Sequence, residues 1–146
     1  MLGEMKIKNL RLRTFIGFNE EEKIHKQDIV INMRIIYDTN RTEITDSPSG
    51  LNYKTHFIKK IIAFIENNRF NLLESLVYHL CKLIDHRFQN DKIYQSVLDY
   101  EIEVDKIGAL RYADSVSVKF QKKDIKKEDS LTFMKRWTKF LIDLKK

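Results

Sequence analysis

Glu74 is the one charged side chain in FNLLESLV (residues 70–77), a run otherwise apolar apart from Asn71 and Ser75. Two chemistries suit an acid at that point. With Asn71 as N-cap, Glu74 three residues on completes a capping box, its carboxylate reaching back to a free backbone N–H. Alternatively, the carboxylate faces a ligand. These residues alone leave both readings open.

Other chemistry-bearing patterns are few. His25, His56, His79 and His86 are scattered, and none pairs with another or with Cys81 at a metal-ligand spacing, so no metal is expected. Ordinary surface or helix-packing roles are expected of them. Cys81 is the single cysteine and falls at an apolar helical position, which predicts an inert core thiol and no disulfide. A phosphate-cradling glycine loop, a G-x-S-x-G elbow and an H-E-x-x-H pair are all missing from the sequence.

Hydrophobic periodicity supplies the elements that must hold any site. KIKNLRLRTFIGF (6–18) alternates apolar and basic residues through Ile7, Leu10 and Leu12, and QDIVINMRIIY (27–37) alternates Ile29, Ile31, Met33, Ile35 and Tyr37. Both read as strands, antiparallel to each other, with Gly17 and NEEEK in the connection. DTNRTEITDSPSG (38–50) holds the only proline, has no period and reads as a loop. Phe57, Ile58, Ile61, Ile62 and Ile65 then recur at helical spacing, and after NNRF a second helix over about 72–88 carries Leu72, Leu73, Leu76, Val77, Leu80, Cys81 and Ile84. VLDYEIEVDK (97–106) and DSVSVKFQ (114–121) alternate again and give two more strands. The order ββααββ fits an α+β domain with two helices on one face of an antiparallel sheet. SLTFMKRWTKFLIDL (130–144) has a short amphipathic period and reads as a terminal helix that docks on the domain or a neighbouring subunit rather than on a membrane.

Composition bounds the function. The chain has 146 residues, 42% of them hydrophobic, which is enough for one ordinary core and unlike a disordered chain. The formal charge of +6 is concentrated at the end: residues 122–146 carry nine Lys/Arg against four Asp/Glu, leaving eighteen against seventeen elsewhere. A nearly neutral body with a solvated basic tail argues against nucleic-acid binding. No apolar stretch approaches the roughly 20 residues of a membrane span, and MLGEMKIKN lacks a signal-peptide core, so a cytoplasmic location is expected.

IKNLRLRTFIG (7–17), QDIVIN (27–32), LNYKT (51–55), ENNRFNLLE (66–74) and VDKIGALRYADSVSV (104–118) occur in an order that resembles the dihydroneopterin aldolase and epimerase family. The match covers nearly all of residues 6–121; 122–146 lies beyond it as a separate basic extension, helical from about 130. ENNRF and ALRYADSVS point to the epimerase branch. The resemblance implies the tunnelling fold, in which ββααββ subunits contribute four strands each to a ring-shaped barrel and two rings stack as a homo-octamer. It also implies active sites between adjacent subunits and no metal or organic cofactor.

The implied substrate is a small-molecule pterin, 7,8-dihydroneopterin triphosphate, epimerised at C2' by reversible retro-aldol chemistry. The alternative is aldolase cleavage to 6-hydroxymethyl-7,8-dihydropterin and glycolaldehyde; a non-enzymatic basic assembly protein is the remaining possibility. By resemblance, Glu74 anchors the pterin, whose 2-amino group and N3–H are two donors matched by the two oxygens of one carboxylate. Leu73 offers its backbone beside the same ring, and Asn52 and Tyr53 arrive from the neighbouring subunit. Lys106 corresponds to the catalytic lysine, exchanging a proton through a water, and Tyr53 relays protons near C1' and the 2'-hydroxyl. Glu22 matches a further acid, although Glu20 and Glu21 adjoin it and leave the register open. The aldolase pattern has Pro after the lysine, whereas Ile107 follows here. Arg111, Lys54 and Arg13 are the cations expected to meet the triphosphate, chosen by charge and sequence proximity.

Overall fold

The computed structural model describes residues 1–126, so the expected helix over 130–144 lies outside the described residues. Four strands, β1 (Leu2–Thr14), β2 (Gln27–Asp38), β3 (Val97–Ile107) and β4 (Ser115–Gln121), form one antiparallel sheet in the order β1-β2-β3-β4. A short helix α1 (Glu20–Ile24) joins the first two strands. The expected loop over 38–50 contains a single helical turn, α2 (Thr42–Thr45), entered and left through left-handed residues, Arg41 at φ 66° and Asp46 at φ 53°. The first long helix opens with a π-helical turn, Lys54–Ile58, and continues as α3 (Lys59–Glu66). Asn67 and Asn68 end it by donating their side-chain amides to the carbonyls of Ala63 and Phe64, each at 2.7 Å. α4 (Leu73–Asn90) is the longest helix.

Period-two alternation decides which face of the sheet the helices cover. Ile29, Ile31, Met33 and Ile35 on β2 lie opposite Lys106, Val104, Ile102 and Tyr100 on β3, and every one of these except Lys106 is buried. Ile61, Phe64 and Ile65 of α3 and Leu76, Val77, Leu80, Cys81, Leu83 and Ile84 of α4 complete this core. Full burial of such a side chain contributes about 1.5–3 kcal/mol relative to exposure. The fully buried Tyr100 reaches through it to donate to Asp85 Oδ1 at 2.8 Å. Burial pushes the Cys81 thiol well above its usual range, which leaves it a packing group.

The other face is charged. Lys6, Arg34, Glu101 and Gln121 form one cross-strand row, and Asn32, Glu103 and Lys119 the next. Arg34 pairs with Glu4 at 3.1 Å and Lys119 with Glu101 at 3.5 Å. A bulge between Ile7 and Leu10 bends β1, with Asn9 at φ 54° donating its N–H to Asn32 Oδ1 at 2.9 Å. Among the described residues no helix is long and apolar enough to cross a membrane.

Candidate active site

Lys106 is the last member of the helix-facing row on β3. Its row-mates Tyr100, Ile102 and Val104 are buried, and it lies between Ile29 on β2 and Val116 on β4. A lysine there cannot pack into the core as its predecessors do, and its Nζ instead contacts Glu22 Oε2. Both side chains are only 17% exposed.

Local chemistry on α1 fixes that carboxylate. Asn19 is the N-cap, its Oδ1 accepting from Glu22 N at 2.9 Å, while Asn19 N donates to Glu22 Oε1 at 3.4 Å. Gly17, at φ 125°, makes room for it: a Cβ on Gly17 would land on the Glu22 carboxylate. Lys106 chiefly holds the Glu22 carboxyl below its usual range, with help from the Asn19 and Phe18 N–H groups against an opposing contribution from burial. Glu20 and Glu21 are exposed, and Glu20 pairs with Lys23 at 3.8 Å. Of the three consecutive glutamates, Glu22 is the one in contact with Lys106. The N-x-x-E spacing from Asn19 was the signal for it.

The start of α4 is tied to the same end of the subunit. Beyond Thr14 the chain leaves β1, four residues before the end expected from its pattern, and Ile16 forms a parallel bridge to Phe70. Gly17 N donates to Phe70 O at 3.0 Å, and Phe70 N to Phe15 O at 3.4 Å. The helix begins three residues after this bridge. The N-cap is Leu72, without a side-chain cap hydrogen bond, so Glu74 is the second helical residue and the capping box with Asn71 does not form. Glu74 is exposed and makes no hydrogen bond or ion pair among the described residues, while Leu73 beside it is buried. The first N–H groups of a helix have no partner within it, so carboxylate and free donors share this end.

Asn52, Tyr53 and Lys54 are not brought to Lys106. Asn52 Oδ1 caps the first helical run, accepting from Lys54 N at 2.9 Å and Thr55 N at 3.1 Å, and Tyr53 stands 57% exposed beside it. Asn52 N donates to His56 Nδ1 at 2.7 Å, and Tyr94 OH to His56 O at 2.5 Å. Tyr94 lies just before Val97, the first residue of β3, and Lys106 is near the last. At about 3.3 Å per residue, the two groups are separated by roughly 30 Å of strand.

The three expected cations also disperse. Arg111 is exposed in the turn after Lys106, its guanidinium carbon 5.5 Å from the centre of the Tyr112 ring. Lys54 is with Tyr53 at the far end. Arg13 falls on the face of the sheet opposite Lys106, paired with Asp28 at 3.1 Å and donating to Lys26 O at 3.2 Å. Sequence reasoning passed over Arg69, whose guanidinium carbon lies 3.8 Å over the Phe15 ring and whose Nη1 donates to Lys23 O at 3.1 Å. Among the described residues, no three His, Cys, Asp or Glu side chains are grouped to hold a metal ion.

Four antiparallel strands with two helices on one face and a lysine–carboxylate contact at the sheet end define an α+β subunit of the tunnelling fold. The structure of Escherichia coli dihydroneopterin aldolase in complex with neopterin superposes with a TM-score of 0.71, covering 82% of this chain and 97% of that one at 22% identity. The chain belongs to the dihydroneopterin aldolase family, whose profile matches residues 5–121. Among curated relatives it is similar to dihydroneopterin triphosphate 2'-epimerase of E. coli K12, with 47% identity over 116 residues, 78% of this chain and 89% of that protein. The enzyme of the same name from Pseudomonas aeruginosa is 42% identical over 118 residues, 80% of this chain and 89% of that protein.

Proposed function

We propose that the protein epimerises C2' of 7,8-dihydroneopterin triphosphate, giving 7,8-dihydromonapterin triphosphate, by a reversible retro-aldol reaction. The 47% identity with the E. coli epimerase carries this reading. The geometry supplies a matching set of groups: an unpaired carboxylate at a helix start, and a lysine held by an acid at the same end of the subunit.

Glu74 grips the 2-amino and N3–H donors of the pterin, and the free N–H at Leu73 lies beside the ring. The 2'-hydroxyl passes its proton through a water to the neutral Lys106 amine, the C1'–C2' bond breaks, and its electron pair passes to C1' and into the C6=N5 imine. C2' becomes an aldehyde carbon that stays bound. Re-addition of C1' to its opposite face, with return of the proton to oxygen, gives the epimer. The ring serves as its own electron sink. Glu22 holds the Lys106 side chain in place, and Tyr53 relays protons from a second copy, with Asn52 shaping that side of the cleft.

A second copy is called for because Tyr53 sits beyond the opposite end of β3 from Lys106, with roughly 30 Å of strand between. Both outer edges of the sheet, β1 and β4, have free backbone groups that pair with another strand, and a β1-to-β4 contact repeated around a ring buries them. Phe18, Ile24, Leu110 and Tyr112 are 68%, 69%, 58% and 92% exposed around the Lys106 end, an apolar surface suited to the neighbour. We read the assembly as an octamer of two rings, residues 1–121 as the catalytic domain with 122–146 as an extension, and the location as cytoplasmic.

Aldolase cleavage shares the first bond-breaking step and differs in release of glycolaldehyde and protonation of C1', which restores the C6=N5 imine, and the family match makes it the second reading. Incubation of the purified protein with dihydroneopterin triphosphate and with dihydroneopterin, followed by product resolution, separates the two. Monapterin-type triphosphate supports epimerisation; 6-hydroxymethyl product with glycolaldehyde replaces it by cleavage; absence of turnover on both removes the enzymatic reading.

A further inference from the structure

We propose that Arg69 and Lys26, gathered on Phe15 beside the Lys106–Glu22 pair, bind the triphosphate chain of the substrate. This rests on the pterin site described above and assigns it a phosphate subsite different from Arg111, Lys54 and Arg13.

Three observations converge. The Arg69 guanidinium is fixed before any ligand arrives, stacked 3.8 Å over Phe15 and donating through Nη1 to the Lys23 carbonyl at 3.1 Å. Guanidinium carries five N–H donors in a rigid fork that matches phosphate oxygens, and that carbonyl is the one acceptor it meets among the described residues. Lys26 Nζ lies 5.8 Å from the centre of the same ring, with no carboxylate partner among the described residues.

The position is also right. Phe15 and Gly17 flank Ile16, and both hydrogen-bond the backbone of Phe70, the residue after Arg69. Arg69 covers the first, and the Glu22 carboxylate occupies the space a Cβ would take on the second. The cation is thus held beside the pair, since the carbonyl it meets belongs to Lys23, the residue after Glu22.

The neighbouring acids are already matched, Glu22 by Lys106, Asp28 by Arg13 and Glu20 by Lys23. Glu21 of α1 has no cation partner among the described residues, and the carboxylate of Glu74 is left for the pterin. Arg13, the cation expected there, is consumed by Asp28 and the Lys26 carbonyl.

The test compares Arg69→Gln and Lys26→Gln with wild type on dihydroneopterin triphosphate and on unphosphorylated dihydroneopterin, and measures inorganic tripolyphosphate binding by calorimetry. Loss of a charge-assisted hydrogen bond predicts that the triphosphate-to-unphosphorylated ratio of kcat/KM falls about ten- to a hundredfold in Arg69→Gln, and tripolyphosphate binding weakens in step. An equal fall on both substrates, or an unchanged ratio, overturns the proposal and leaves Arg69 as a strut for the Lys23 turn. Lys26→Gln removes no hydrogen bond of the fold and keeps the test readable if Arg69→Gln does not fold. Should wild type turn over neither pterin, the function above fails and tripolyphosphate decides alone: weakened binding in both variants sustains a polyphosphate site, and unchanged binding ends it.

Discussion

The ammonium of Lys106, near the end of β3, rests on the carboxylate of Glu22 in α1, across 84 residues of sequence. Strand and helix each deliver one partner by a local rule: alternation turns Lys106 toward the helix-covered face, and an Asn19 cap aims Glu22 at it. Lys106→Ala is expected to lower kcat by about a hundredfold to ten-thousandfold, the range of lost general acid–base catalysis, with pterin affinity largely kept. Single-turnover kinetics and a binding titration separate the two quantities. A variant with normal kcat would remove Lys106 from the chemistry.

Gly17→Ala tests the space behind Glu22. The alanine would have to adopt φ 125° and drive its methyl group into the carboxylate. Backbone strain alone costs about 1–3 kcal/mol, so both melting temperature and turnover should drop. A stable, fully active variant would show that the contact with Lys106 does not depend on this clearance.

Glu74→Ala should leave the melting temperature near wild type, because the side chain is exposed and holds no partner among the described residues. Pterin binding should weaken severely, since each hydrogen bond to a charged group contributes about 1.5–3 kcal/mol. Calorimetry with neopterin reads the affinity directly. Unchanged binding would return Glu74 to the solvent.

Tyr53→Ala and Lys106→Ala should complement each other. Each variant alone is expected to be nearly inactive, yet co-assembled copies bring an intact Tyr53 to an intact Lys106 at some of their interfaces. Recovered activity on refolding an equimolar mixture is the predicted outcome. No recovery, with mixed assembly confirmed by mass, would place the whole site within one chain.

The Asn52 turn should weaken in mild acid. Burial holds the His56 imidazole below its ordinary value of 6.5, with Asp91 opposing and Lys60 reinforcing the shift; Tyr94 packs on its ring and Arg87 lies in the same pocket. Below the unfolded pKa the unfolded chain binds the proton that the native state resists, so stability is full above 6.5 and falls as pH drops toward the native value. Protonation at Nδ1 would also abolish the acceptor of Asn52 N. Melting temperatures at neutral pH and near pH 5.5 should therefore converge in His56→Gln relative to wild type. Asp85, raised mainly by burial, contributes with the opposite sign but cancels in that comparison, and Glu22 loses its contribution in a more acidic window. Equal pH dependence in both proteins would refute the coupling.

Much of this fold was legible because its core obeys two simple periods. Ile29 to Ile35 and Tyr100 to Val104 alternate, and α4 repeats its apolar residues at helical spacing, so element order followed from pattern alone. The start of α4 fell within a residue of the expected 72, but its cap did not follow, since Leu72 rather than Asn71 stands at the N-cap. Resemblance supplied Lys106 and Glu22 as separate residues, and only the turn at Gly17 made them neighbours. Alternation with Leu12 assigns Arg13 to the face away from Lys106, which its charge alone does not reveal.

The charged rows on the uncovered side of the sheet limit how copies can meet. Laying an apolar layer across Lys6, Arg34, Glu101, Glu103 and Lys119 would strip hydration from several ions, at a penalty of several kcal/mol each. Face-to-face stacking into a dry sandwich is therefore closed to this sheet. Lateral growth through strand edges remains open and would leave these charged rows in water.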